Sequence, residues 1–309
     1  MATDMKKIKK LRGGNCLFVS GDGNTLAGFS GQNIAYVYDL SGDSLEPIFK
    51  IRTIRYLSRV AVSSDRKLLA AKSTTGEIAV FSLESGEELL RVKTNEMDGY
   101  QMYFTADSKS VLDLGRSRIK LIDIETQKVT YLDDDIQPVT GLCPRVWRIA
   151  LDRYSNQIYR FIQTDENYSV GELQISSSDP DRISFQVAQK APYQLPGILN
   201  GLSLCRERNY CRKETHIVVT DKQFNEIGKI SFPSEFEKLS PVRNIYVSPC
   251  EKYILFDFMR ASGESYLYEL ETMKMVRKFE YPYLCDFTMV KDDTEFVVST
   301  WQGAFIGKV

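Results

Sequence analysis

A polar turn carrying an acidic residue recurs between pairs of apolar strands, and its spacing limits what this chain can become. LFVSGDGNTLAGF starts at Leu17, VAVSSDRKLLAAK at Val60, MYFTADSKSVLDL at Met102, IYVSPCEKYILFD at Ile245 and FTMVKDDTEFVVS at Phe287. The acid falls at Asp22, Asp65, Asp107, Glu251 and Asp292, so the first three lie 43 and 42 residues apart and the last two 41. The spacing of 144 from Asp107 to Glu251 leaves room for two looser copies. A period of about 40–45 residues is that of a four-stranded blade.

Each repeat continues in a fixed order. A glycine turn follows the second strand, at Gly31, Gly76, Gly115, Gly263 and Gly303, where a short hairpin calls for positive φ. A third strand then alternates with period two, as in IAYVYDL at 34–40 or EIAVFSL at 77–83, and a more polar fourth strand closes the unit, as in PIFKIR, ELLRVK, KVTYLD and MVRKFE. The middle of the chain keeps the scheme. Strands are expected from Trp147 to Asp152, Gln157 to Gln163, Ser169 to Ile175 and Arg182 to Gln189, then from Leu202 to Cys205, Asn209 to Lys213, 216–221 and 226–232. Pro192 and Pro196 mark a connection outside the sheets, because proline cannot donate to a ladder.

The last repeat, 284–309, has only three strands. MKKIKKLR at 5–12 resembles the other fourth strands, so the N-terminal segment is expected to complete the final blade. Its lysines suit an outermost strand, where charge deters pairing with other edges; phosphate binding by Lys6, Lys7, Lys9, Lys10 and Arg12 is the alternative. The expectation is an all-β, seven-bladed β-propeller of four-stranded antiparallel blades in a single domain over 1–309. The blades cover about 14–52, 57–94, 99–135, 145–190, 199–233, 242–281 and 284–309.

On these residues the chain resembles the WD-repeat-like β-propellers over essentially 5–309. The resemblance rests on the Ser/Thr-x-Asp turns (Ser63-Ser64-Asp65, Thr105-Ala106-Asp107) and on a degenerate aromatic–acid pair ending the third strand (Tyr38-Asp39, Phe81-Ser82, Ile122-Asp123, Tyr268-Glu269). There is no Gly-His dipeptide, and neither Trp147 nor Trp301 precedes an aspartate. The His-Ser-Asp-Trp network of that family is therefore absent. The resemblance implies a rigid platform for protein partners without chemistry of its own.

The residues point the same way. His216 is the only histidine, which excludes any site needing two. No nucleophile elbow, P-loop or dinucleotide fingerprint occurs, and Asp133-Asp134-Asp135 lacks calcium-loop spacing. No metal and no cofactor are expected. Forty basic against forty-one acidic residues leave a net charge of -1, so nothing global favours nucleic acid or a membrane. Six cysteines without a C-x-x-C pair suit reduced thiols, and without an apolar span the chain is expected in the cytoplasm; a monomer is expected.

The residue before each inner strand is Arg59, Gln101, Arg148, Asn244 or Asp286, and one residue earlier stand Ser58, Tyr100, Trp147, Arg243 and Cys285, with Tyr56 and Tyr283 nearby. One acid among five in the first set cannot hold a divalent ion alone, whereas arginines, amides and aromatics are hot-spot residue types. Arg59, Tyr100, Gln101, Trp147, Arg148, Arg243, Asn244, Tyr283 and Asp286 are accordingly the expected contacts of a protein or peptide partner, on the face where strand four hands over to the next inner strand, at the channel mouth. The competing reading of the aromatics is core packing between blades. The competing function is a channel-centred small-molecule enzyme of lactonase or hydrolase type.

Overall fold

The computed structural model describes residues 8–14, 17–20, 23–30, 33–42, 44–94, 101–105, 107–114, 119–131, 145–152, 157–164, 167–174, 184–186, 202–213, 215–238, 242–258, 263–281, 284–300 and 303–309, with the backbone alone over 145–186. These fall into two compact units, 15–190 and 1–14 with 191–309.

β1 (Lys9–Leu11) belongs with the chain's last strands. In the 15–190 unit, sheet 1 contains β2 (Leu17–Val19), β3 (Thr25–Ser30), β4 (Ile34–Asp39) and β5 (Phe49–Arg52), and sheet 2 contains β6 (Leu57–Val62), β7 (Leu68–Ser73), β8 (Glu77–Ser82) and β9 (Glu88–Lys93). Sheet 3 is β10 (Gln101–Phe104), β11 (Ser110–Leu114), β12 (Ile119–Asp123) and β13 (Val129–Tyr131), and sheet 4 is β14 (Arg145–Asp152), β15 (Gln157–Thr164), β16 (Asn167–Gln174) and β17 (Ser184–Gln186). In the other unit, sheet 5 is β18 (Leu202–Leu204), β19 (Asn209–Arg212), β20 (His216–Thr220) and β21 (Glu226–Ser231). Sheet 6 follows as β22 (Val242–Val247), β23 (Tyr253–Phe258), β24 (Glu264–Glu269) and β25 (Lys274–Glu280). Sheet 7 is β26 (Leu284–Val290), β27 (Glu295–Thr300) and β28 (Gly303–Lys308), and β1 is its fourth strand. Among the described residues this makes seven four-stranded antiparallel sheets, each in meander order.

Burial explains the composition of the strands. Second strands such as β7 and β23 are buried along nearly their whole length, because both faces of the sheet are covered. Small residues fill the interior of the first two sheets, with Ala27, Ala61, Ala70, Ala71 and Ala79 fully buried in one apolar cluster. Fourth strands are polar on the solvent side; β21 alternates half-buried and exposed.

The Ser/Thr-x-Asp turns show why those residue types recur. Ser63 Oγ donates to Asp65 Oδ1 (2.6 Å) and accepts from Leu68 N (2.9 Å), while Asp65 accepts from Lys67 N (3.1 Å). Thr105, Asp107, Lys109 and Ser110 repeat the pattern. The side chains thus satisfy backbone donors that the turn leaves without ladder partners.

In sheets 5–7 the acid is used differently. Glu251 reaches back from sheet 6 to the sheet 5 turn, accepting from Glu207 N (3.0 Å), Arg208 N (3.3 Å), Arg208 Nε (2.8 Å) and Tyr210 Oη (2.7 Å). Burial opposes its charge, but these donors outweigh it and hold the carboxyl below its ordinary range. In sheet 7 the corresponding contact is made by Asp293, whose Oδ2 accepts from Cys250 N (3.2 Å). The repeat spacing marks its neighbour Asp292 instead.

β1 pairs with β28 through Lys9↔Ile306, Lys10↔Phe305 and Leu11↔Ala304. Leu11 is buried and both lysines are exposed, as expected of a charged outer strand. Met5–Lys7 lie outside the described residues. Gly14 follows because nothing larger fits: a Cβ there would stand 2.1 Å from Ala304 N. A short 3₁₀ turn, Ser234–Lys238, was not foreseen. It inserts Phe236 among Phe232, Phe256, Phe258 and Tyr268, with ring centroids 4.9–6.1 Å away.

Candidate interaction face

The end of a fourth strand lies beside the turn joining strands two and three of its own sheet, and from β5 to β6 the link to the next inner strand is only residues 53–56. Backbone bonds tie these turns together. Thr53 N donates to Asn33 O (2.8 Å), Thr94 N to Gly76 O (2.8 Å), Phe232 N to Thr215 O (3.1 Å) and Tyr281 N to Gly263 O (2.9 Å). Gly76, Gly263 and Gly303 have positive φ, as their turns require; Gly31 and Gly115 lie outside the described residues.

The inner strand itself starts with a bulge in four sheets. Register skips one residue at Ser58, Trp147, Arg243 and Cys285. The skipped residues are members of the second set picked out in the sequence, so that alignment marked a backbone feature which re-aims side chains.

In the 15–190 unit, Tyr56 precedes the sheet 2 bulge at φ 57° and is 69% exposed. A bulky residue in the left-handed region is held there by its surroundings. Tyr56 O accepts from Thr74 N (2.8 Å), and the other end of the turn is fixed by Asn33 Nδ2 donating to Thr53 O and Thr53 Oγ1 donating to Asn33 O, both 3.2 Å. Arg55 beside it is exposed. Arg59 is half-buried, with Nη1 donating to Ser58 O (2.7 Å). Gln101 opens β10 on the adjacent sheet, and its buried Oε1 has no hydrogen-bond partner among the described residues.

Behind Arg59 lies a charge cluster that the motifs did not disclose. Lys72, the register partner of Arg59, is fully buried. Its Nζ donates to both oxygens of Asp113 in sheet 3 (2.7 and 2.8 Å), and Lys120 Nζ donates to Asp113 Oδ2 (3.1 Å). All three side chains are within 1% of complete burial. Lys72 stands out in LLAAKS, and Asp113 in VLDL, as a charge in an otherwise apolar strand; that was the available signal.

In the other unit Arg243, Asn244 and Asp286 are engaged by the strands around them. Arg243 donates through Nε to Asp257 Oδ2 (2.8 Å) and through Nη2 to the carbonyl of Leu284 (2.8 Å). Asp257 also accepts from Ser265 Oγ (3.2 Å). Burial raises the Asp257 pKa despite the guanidinium, which pulls the other way. Asn244 Oδ1 accepts from Ile245 N (3.1 Å), and Asp286 Oδ1 from Phe287 N (2.9 Å). Tyr100 and Tyr283 lie outside the described residues. Trp147 and Arg148 are placed by backbone only, in β14.

Among the described residues no helix is long and apolar enough to cross a membrane. Cys205, Cys211, Cys250 and Cys285 are thiols, and burial pushes Cys211 up to about 12.

No protein-family model matches this sequence, and no curated protein matches it. Solved structures do resemble it. The Cps50 (Swd1) β-propeller domain of Myceliophteria thermophila aligns over 98% of both chains, with a TM-score of 0.68 at 13% identity. Kuenenia stuttgartiensis hydrazine synthase aligns over 100% of this chain and 99% of its own, with a TM-score of 0.67 at 11% identity. With its seven four-stranded sheets and these neighbours, the chain has the β-propeller fold.

Proposed function

We infer that this protein is a non-enzymatic protein- or peptide-interaction scaffold in the cytoplasm, working through the face on which fourth strands hand over to inner strands. The observation that carries this reading is Tyr56: a large aromatic, exposed, in a costly backbone conformation, on a turn tied at both ends. Exposed aromatics flanked by arginine are the residues that dominate binding energy, and a pinned turn loses little freedom on binding. Arg59 and Gln101 extend the patch; Tyr100, Trp147 and Arg148 belong to the same set by sequence position. Arg243, Asn244, Asp286 and Tyr283 are proposed contacts on the corresponding face of the other unit, where the first three also shape the strand starts.

Small-molecule catalysis needs carboxylates or a histidine placed to move protons. Asp257 is taken up by Arg243 and Ser265, Asp286 bonds its own strand, and His216 Nδ1 lies 3.3 Å from Thr215 Oγ1. These contacts favour the scaffold over the enzyme.

Photo-crosslinking tests the placement. A benzophenone side chain at position 56 should capture a discrete protein in native lysate, while the same group at Ile227, exposed on outer strand β21, should not. Equal labelling from both positions, or none from 56, refutes it.

A further inference from the structure

We propose that the patch around Tyr56 receives an acidic segment of a protein partner, bound as an extended peptide whose carboxylates meet Arg55 and Arg59. The proposal rests on the scaffold reading above and adds the chemistry of the partner.

Charge is the first argument. From Phe49 to Ser64 the chain carries Lys50, Arg52, Arg55 and Arg59 and no acid. This run forms the fourth strand of sheet 1, the pinned turn and the inner strand of sheet 2. Lys50, Arg52 and Arg55 are exposed and Arg59 is half-buried. A protein with a net charge of -1 therefore presents a local basic strip at Tyr56, the most exposed aromatic among the described residues. Such strips draw carboxylates, and arginine binds them through paired N–H groups.

The exposed Tyr56 side chain supplies the second argument. Tyrosine and arginine are the residue types that anchor partners, and arginines for the carboxylates with an exposed phenol for packing together fit an acidic peptide.

The third argument is rigidity. Tyr56 O accepts from Thr74 N, and the Asn33–Thr53 bonds fix the other end of the turn, so the patch loses little freedom when a partner binds.

The test is a displayed library of random twelve-residue peptides, panned on the full-length protein. Recovered peptides are then titrated by fluorescence anisotropy against wild type, Arg55→Glu, Arg59→Gln and Tyr56→Gly. We expect enrichment in Asp and Glu, weaker binding at higher salt, a loss of tenfold or more for Arg55→Glu, and a comparable loss for Tyr56→Gly with its melting temperature kept or raised. Neutral or basic peptides that still depend on Tyr56 would overturn the acidic partner and leave the scaffold reading standing. Recovery of no peptides, or of peptides that bind Tyr56→Gly as tightly as wild type, would overturn both. Stronger, equally Arg55-dependent binding of a twelve-residue oligothymidylate would replace the peptide with a phosphate chain.

Discussion

Replacing Asp113 with asparagine changes almost no volume, so it isolates the charge that Lys72 and Lys120 share. Three hydrogen bonds of 2.7–3.1 Å converge on that carboxylate, all out of reach of water. Breaking a buried ion pair by removing one partner costs about 3–5 kcal/mol, because the remaining charge stays desolvated. Unfolding entropy of about 2.1 cal/mol/K per residue over 309 residues gives roughly 0.65 kcal/mol/K. The melting temperature should then fall by roughly 5–8 °C. Calorimetry and urea titration of Asp113→Asn measure this directly. The companion variant, Lys72→Met with Asp113→Leu and Lys120→Met, replaces the cluster with apolar side chains of similar size and should be neutral or more stable by up to about 4 kcal/mol. A loss below about 1 kcal/mol for Asp113→Asn, or a triple variant as unstable as the single one, would show that charge is not what matters there.

Four further outcomes follow from the geometry. Tyr56→Gly removes a left-handed strain of about 1–2 kcal/mol and adds up to about 1 kcal/mol of chain entropy to the unfolded state, so chemical denaturation should show stability unchanged or raised by up to about 2 kcal/mol. Gly14→Ala forces a methyl against the backbone of Ala304 and should cost about 1–3 kcal/mol, with hydrogen exchange quickening in Ala304–Ile306, which pair with β1. Glu251 is held below its ordinary value of 4.5, so its stabilisation is complete above that pH and is lost as pH falls through the lower folded value. Glu251→Gln should flatten that acid limb. Asp257, raised by burial, acts in the opposite sense: its share is complete below pH 3.8 and fades as pH climbs through the folded value, so Asp257→Asn should remove that decline.

The strand scheme was legible because its signals are local. Period-two alternation, a Ser/Thr that accepts the next strand's N–H, and a glycine with positive φ each leave a mark within a few residues. The N-terminal complement to sheet 7 was legible by subtraction, since three strands wanted a fourth. The site was legible only as a set of positions. Arg59 and Arg243 look alike in sequence, but Lys72 lies opposite Arg59 and Asp257 beside Arg243, and these partners on the second strand decide how each guanidinium is used. The left-handed turn at Tyr56 left no mark, because tyrosine has no preference for that conformation. Phe236 was hidden in a connecting segment, where one aromatic among charged residues gives no period to read.

The pairing of Lys9–Leu11 with Ala304–Ile306 sets a timetable for the nascent chain. At translation rates of about 5–20 residues per second, β1 leaves the ribosome roughly 15–60 seconds before its partner exists. During that interval it is an orphan strand in a crowded cell, the kind of segment that pairs with whatever edge it meets. Its two exposed lysines are the residue type that deters such edge pairing, and Leu11 is the one side chain of the strand that is buried once the partner arrives.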